Sequence, residues 1–415
     1  MNETGQKAPL IAIAESIMPD GIRQTISTEP IIPAIAARAK IIGQHNPDFI
    51  RSDQGQILDI FPDKEIYYGP SAGLEELRSL IGRFWTLTYR LKGRTGIPAE
   101  GLDTQNVAIV TGATEGLSIV MHLVAHKQNV GLLPLYWSNY RGIILNSGGN
   151  PVILDFFDDN YDPDFEKIEA QIQQHKITSL LINFPTNPSG DVLSEEQMGR
   201  LAEMAKRLNL ILISDEVYGT LRYKGSPQSM LAYAPERTII ISSASKEYLI
   251  PGARVGYVIA AEETFISWMS KMIRSFSSSP NVLGQQILID ILKEEVADLE
   301  DGRAPRIITH IKEELRKRCA LTIEILEEKG FTLAGKDKDF PSGAISVLAR
   351  LPADLTVDDK EFVEKALDMG KFSAVPASVF GAPGCIRIGY AGMTQDRIKK
   401  FAGALEDVLD FFRKT

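Results

Sequence analysis

The chain has 415 residues, with 45 Lys and Arg against 54 Asp and Glu, a formal net charge of -9 and 44% hydrophobic residues. That length exceeds one ordinary compact core and predicts a large domain joined to a smaller one, while the acidic balance speaks against wide contact with nucleic acid or an anionic membrane, which both need concentrated positive charge. The start, Met1 to Gly21, sets acidic residues and a proline within a short apolar run, which fits neither a secretory signal nor a membrane span and predicts a cytoplasmic protein.

In chain order, the region from about residue 105 to 260 alternates short β-branched runs with longer amphipathic stretches, the pattern of an α/β domain whose mostly parallel sheet lies between helices. The predicted strands run Val107 to Thr111, Val130 to Leu133, Pro151 to Phe156, Ile177 to Phe184, Leu208 to Ser214, Thr238 to Ser242 and Val255 to Ala260. A seven-stranded sheet of this kind binds ligands beyond the carboxyl ends of its strands. After Pro280 the stretches Asn281 to Leu299 and Arg303 to Lys329 have helical spacing and read as a long connecting helix. The end mixes strands (Ala344 to Arg350, Cys385 to Gly389) with helices (Val357 to Met369, Thr394 to Phe412), a smaller α+β domain. The predicted division is an N-terminal arm with part of the small domain over 1–45, a large domain over 46–290, and the connecting helix with the small C-terminal domain over 291–415.

Chemistry-bearing residues fall just after the apolar runs. Ser242-Ser243-Ala244-Ser245-Lys246 puts an amine in small hydroxyl-bearing surroundings, and Arg254 follows eight residues on. The first suits attack on a carbonyl and the second a two-pronged grip on phosphate; pyridoxal phosphate (PLP) carries both an aldehyde and a phosphate. Taken alone, Lys246 reads first as a lysine on a surface loop. Asp215-Glu216-Val217-Tyr218 ends another strand; Asp215 could hold a protonated pyridine nitrogen and Tyr218 the ring's phenolic oxygen, or the aspartate could simply cap a helix. Asn187, in Phe184-Pro185-Thr186-Asn187-Pro188-Ser189-Gly190, sits in a stiff turn and could reach a ligand oxygen. Thr111-Gly112-Ala113-Thr114-Glu115-Gly116 closes a strand and opens a helix, an anion site built from backbone amides and the Thr114 hydroxyl. Trp137 could lie over a flat ring or belong to the core, and Tyr136 beside it is the alternative ring-stacking residue. His122 and His126 stand four apart without a third ligand, so no metal is expected, and the distant Cys319 and Cys385 read as reduced thiols.

The ordered set Asn187, Asp215, Tyr218, Ser243, Lys246, Arg254 and Arg387 resembles the class I/II aminotransferases of the fold-type I PLP enzymes, from about Tyr68 to Arg387. The resemblance implies a large PLP-binding domain, with Lys246 holding PLP as an internal aldimine and then acting as general base. It implies Asp215 on the ring nitrogen, Asn187 and Tyr218 on the ring oxygen, and Ala113, Thr114, Ser243 and Arg254 on the phosphate. Arg387 would clamp the substrate α-carboxylate, with Asn187 beside it. Tyr68 would reach the phosphate of a neighbouring subunit, which implies a homodimer with shared active sites. The substrates implied are an L-amino acid and a 2-oxo acid. Two features depart from the family pattern: Tyr140 stands where a histidine is expected in Trp137-Ser138-Asn139-Tyr140, and Ile26-Ser27-Thr28-Glu29-Pro30 lacks an expected glycine. An elimination, decarboxylation or ring-closing reaction of the aminocyclopropane-carboxylate-synthase kind on the same cofactor is the alternative. A PLP-binding regulator would carry a basic DNA-binding block, which is not found before Tyr68.

Overall fold

The computed structural model describes residues 7–27, 41–42, 45–46, 68–158, 161–337 and 339–414. Among them, the large sheet is built from β1 (Val107–Val110), β2 (Asn129–Leu132), β3 (Asn150–Ile153), β4 (Ile177–Asn183), β5 (Ile211–Asp215), β6 (Thr238–Ser243) and β7 (Gly256–Ile259). The strand order is β1-β7-β6-β5-β4-β2-β3. All pairs from β3 to β6 are parallel, whereas β7 is antiparallel to both of its neighbours. The expected mostly parallel, seven-stranded α/β sheet is therefore present.

Side chains alternate across each strand, and the apolar runs fill both faces. Ala108, Val110, Ile239, Ile241 and Val258 join one core with helices Pro9–Ile17, Ala113–Val124 and Glu263–Ser277. Their sequence neighbours Val107, Ile109, Ile240 and Tyr257 join a second core with Glu75–Thr88 and Val282–Glu300. A third packs Leu180, Ile182 and Leu212 against Phe165–Gln174 and Glu195–Arg207.

The smaller sheet is antiparallel, in the order β10-β11-β9-β8, from β8 (Thr332–Leu333), β9 (Ser346–Arg350), β10 (Val375–Pro376) and β11 (Cys385–Gly389). Arg306–Glu328, Asp359–Asp368 and Gln395–Lys414 cover one of its faces.

Three expectations about the elements are corrected, the first being the strand expected to reach Phe156, which ends at Ile153. Residues 208–210 are not strand: the helix Glu195–Arg207, fixed by a capping box between Ser194 and Gln197, ends with Leu208 as its cap, and Asn209 turns at φ 53°. The strand thus starts at Ile211 and includes Asp215. The helical text after Pro280 is two helices, Val282–Glu300 and Arg306–Glu328. Gly302 at φ 73° and Pro305 before the second helix break the run, and Glu295 accepts the amides of Ile307 and Ile308 that the break exposes. Among the described residues, no helix is long and apolar enough to cross a membrane. Cys319 and Cys385 are buried and form no disulfide.

Candidate active site

The carboxyl ends of the central strands lie level: Asp215 pairs with Asn183 of β4 and with Ile241 of β6. Chain leaving those strands enters one cavity of about 450 Å³, whose wall is completed by β9 and β11 of the small sheet through Ser346, Arg387 and Gly389. Lys246, Asp215, Tyr218 and Asn187 line it, as do Ala113, Thr114, Ser243, Arg254 and Trp137. Tyr68 does not line it and is 74% exposed. The expected amino-terminal contact loop lies outside the described residues from Thr28 onward; Ser27 ends the helix Asp20–Ser27.

Lys246 rides on the four-residue helix Ala244–Glu247 that follows β6. Ser243 Oγ accepts the Ser245 amide at 3.1 Å and donates to the Val255 carbonyl at 2.9 Å, tying the turn to the chain that enters β7. Burial lowers the lysine's affinity for its proton, and the nearby Arg387 lowers it further. A neutral amine is the form that attacks a carbonyl or takes a proton.

Asp215 is held on three sides. Tyr140 Oη donates to its Oδ2 at 2.5 Å, the Val217 amide reaches Oδ1 at 3.3 Å, and Asn183 Nδ2 donates to its backbone carbonyl at 2.8 Å. Burial pushes the carboxyl up to about 6, and the Tyr140 hydroxyl pulls against that shift. The position where a histidine was expected is thus filled by a phenol making a direct bond to the aspartate. Trp137 sets its ring edge-on to Tyr140, centroids 5.5 Å apart. Tyr136, the other possible ring-stacking residue, packs against the core and is not part of the cavity wall.

At the opposite wall Arg387 Nη1 donates to Asn187 Oδ1 at 3.2 Å, and its guanidinium carbon lies 5.2 Å from the centre of the Phe380 ring. The Asn187 backbone amide in turn donates to Asn183 Oδ1 at 3.0 Å. Tyr218 is buried beside Asp215; burial and then the carboxylate's charge hold its hydroxyl protonated.

The third corner is an anion cradle. The helix Ala113–Val124 begins at the cavity with Gly112 at φ 82° and no side-chain cap, so its first amides are left for a ligand. Arg254, itself in the left-handed region at φ 51°, donates to the carbonyls of Thr111 and Pro251. A Cβ on Gly112 would stand 2.4 Å from Arg254 Nη2, and one on Gly256 would stand 2.5 Å from the Gly112 carbonyl carbon. The cradle therefore needs both glycines. Its amides, Thr114 and Ser243 hydroxyls and guanidinium suit a phosphate monoester, and the amine, carboxylate and flat ring around it suit the remainder of PLP.

Sequence reasoning missed Asn183 and Ser245, both in the cavity wall, together with Ile345 and Ser346. Ser245 was legible beside Lys246; Asn183 had a signal only as the last residue of β4.

The sequence profile described as Aminotransferase class I and II matches residues 63–405. The chain belongs to the class I and II aminotransferases. It is 28% identical over 343 residues to a probable aspartate/prephenate aminotransferase of Thermus aquaticus, covering 82% of this chain and 84% of that one. It is 27% identical over 410 residues to the putative aminotransferase YugH of Bacillus subtilis, covering 97% of each. Among solved structures it resembles the aspartate aminotransferase of Thermotoga maritima, with a TM-score of 0.70, 25% identity, and coverage of 93% of this chain and 99% of that one. The aminotransferase is thus a PLP-dependent transferase that moves an amino group between an amino acid and a 2-oxo acid, and the lyase, decarboxylase and ring-closing alternatives are not favoured by these relatives.

Proposed function

We propose that Lys246 binds the cofactor and moves the proton in this transamination, with Asp215 and Tyr218 setting the electronics of the ring. The reading is supported by one observation above all: amine, carboxylate, phenol, anion cradle and Arg387 border a single cavity. PLP, when bound, supplies an electron sink for the pair left when the substrate Cα–H bond breaks. Arg387, steadied by Asn187 and Phe380, grips the substrate α-carboxylate with both prongs and so presents the Cα proton to Lys246. Lys246 Nζ, whose hold on its own proton is weakened by burial and then by Arg387, is placed to take that proton and to give it back. Asp215 would pair with the protonated ring nitrogen, and Tyr218 and Asn187 would donate to the ring oxygen. Ala113, Thr114, Ser243 and Arg254 would hold the phosphate.

The same proposal includes a homodimer. Tyr68, Phe276, Leu283 and Ile287 are large, apolar or amphipathic, and 74%, 47%, 53% and 49% exposed; a second copy covering them would bring Tyr68 to the partner's phosphate. The division into an N-terminal arm with part of the small domain over 1–45, a large domain over 46–290 and a connecting helix with the small C-terminal domain over 291–415, and a cytoplasmic location, belong to the reading as well. The relatives' printed names make aspartate the first donor to try. Lys246, Arg254 and Arg387 are the lysines and arginines among the described residues of the cavity wall, so a distal carboxylate would need a contact beyond them, and neutral donors belong in the same assay.

The test is to follow the visible absorbance of the holoenzyme while aspartate, aromatic and aliphatic amino acids are added singly, with Lys246→Ala alongside. The wild type should lose its visible band with the right donor, and Lys246→Ala should lose both band and turnover. A Lys246→Ala enzyme that still transaminates overturns the assignment.

A further inference from the structure

Behind the cavity lies a second group of titratable side chains that the reaction does not use. Lys246 and Asp215 face the ligand, and the residues that follow them, Glu247 and Glu216, are 1% and 2% exposed in the protein interior. Glu247 Oε2 accepts from Tyr257 Oη at 2.5 Å, and that hydroxyl also accepts from Trp85 Nε1 at 3.2 Å. Glu247 Oε1 has no hydrogen-bond partner among the described residues, and neither have the hydroxyls of Tyr89 and Tyr248 nearby. Ser242 faces Glu247 and Tyr257 and is a hydrogen-bond partner to that pair, with the backbone oxygen of Glu216 also within 3.4 Å of its hydroxyl. The titratable groups turned toward Glu247 are Tyr257, Tyr89, Tyr248, Glu216 and Glu295. None is a cation. An ionised carboxylate buried among acids and phenols, with no cation beside it, is strongly disfavoured, whereas a carboxylic acid brings its own donor.

The helix that carries Lys246 is four residues long, too short to hold itself without tertiary anchors. Its front is tied by Ser243, and its rear by the Glu247 bond to Tyr257 on β7. We infer that Glu247 is a positioning residue which, as a neutral carboxylic acid, fixes the lysine-bearing turn from behind. The inference rests on the reading of Lys246 given above. Burial, the largest influence, pushes Glu247 up to about 8, in line with this state.

The test uses the holoenzymes of wild type, Glu247→Gln and Glu247→Ala. A carboxyl raised from 4.5 to about 8 in the folded protein contributes stability that is complete below 4.5 and is lost as pH rises toward 8. Glu216, raised to about 7, titrates in an overlapping window, so the quantity to read is the difference between wild type and Glu247→Gln. The melting temperature of Glu247→Gln should gain on that of the wild type between about pH 5 and about pH 8. Glu247→Gln, which copies the neutral acid in shape, should keep the pH titration of the visible cofactor band and hold kcat within about threefold, whereas Glu247→Ala should shift that titration and lower kcat on the order of ten- to a hundredfold with KM little changed. A pH-independent difference in melting temperature, or a Glu247→Gln enzyme as impaired as Glu247→Ala, overturns the inference. Failure of the Lys246 assignment shows separately, as a visible band that survives Lys246→Ala while the pH-dependent melting difference remains.

Discussion

Tyr140 shows how one side chain can meet the need for a hydrogen bond to Asp215 in a way the sequence pattern did not announce. Its hydroxyl is held protonated, first by burial and then by the aspartate's charge, so it donates without bringing a positive charge to the site. Removing it in Tyr140→Phe leaves the buried carboxyl with fewer donors and moves its proton affinity higher still. A hydrogen bond to a charged group contributes about 1.5–3 kcal/mol, so kcat/KM should fall on the order of 10- to 100-fold. The loss should be greatest below about pH 6, where Asp215 is already protonating, and should shrink as pH rises; steady-state kinetics across pH measure it. Lys246 and Asp215 were legible from hydroxyl-rich and acidic runs directly after apolar strands. The Tyr140 bond was not, because it joins residues 75 apart and exists only through the placement of β5 beside the helix Asn139–Asn146.

At the scale of elements, the anion cradle depends on two chain segments meeting at van der Waals limits. A methyl on Gly256 would meet the Gly112 carbonyl carbon at 2.5 Å and the Ala113 amide nitrogen at 2.6 Å, both backbone atoms with no flexible end to swing away. Gly256→Ala should therefore displace the start of the helix Ala113–Val124, at a cost of about 1–3 kcal/mol. The measurement is PLP titration of the apoenzyme, with weaker binding and a lower melting temperature expected together. The strand that closes this cradle was legible as an apolar run, but its direction was not: nothing in the composition of β7 distinguishes an antiparallel strand from the parallel ones beside it. Where local turn chemistry overrode hydrophobic periodicity, at Asn209 and at Gly302 with Pro305, the element boundaries read from the apolar pattern moved. Glu216 and Glu247 escaped notice for a related reason. Their spacing suits solvent as well as it suits a core, and only the packing of Tyr89, Tyr248 and Tyr257 around them tells which.

For the whole molecule, the exposed apolar residues beside the site give the proposed dimer a direct test. Leu283 and Ile287 stand one turn apart on Val282–Glu300 and are 53% and 49% exposed, so Leu283→Asp with Ile287→Asp should leave each core intact. Light scattering should then find a smaller species, and activity should fall on dilution; an unchanged size would remove this surface from the interface. Arg387 stands on β11, whose apolar residues belong with the helices of the small sheet, and Lys246 follows β6, whose apolar residues belong with the helices of the large one. On the proposed assignment an amino acid is a strut between two bodies, its acid end fastened to one and its nitrogen end to the other. Once the nitrogen has been given up, the departing 2-oxo acid is moored at a single end, and the molecule that leaves is held by fewer bodies than the molecule that arrived.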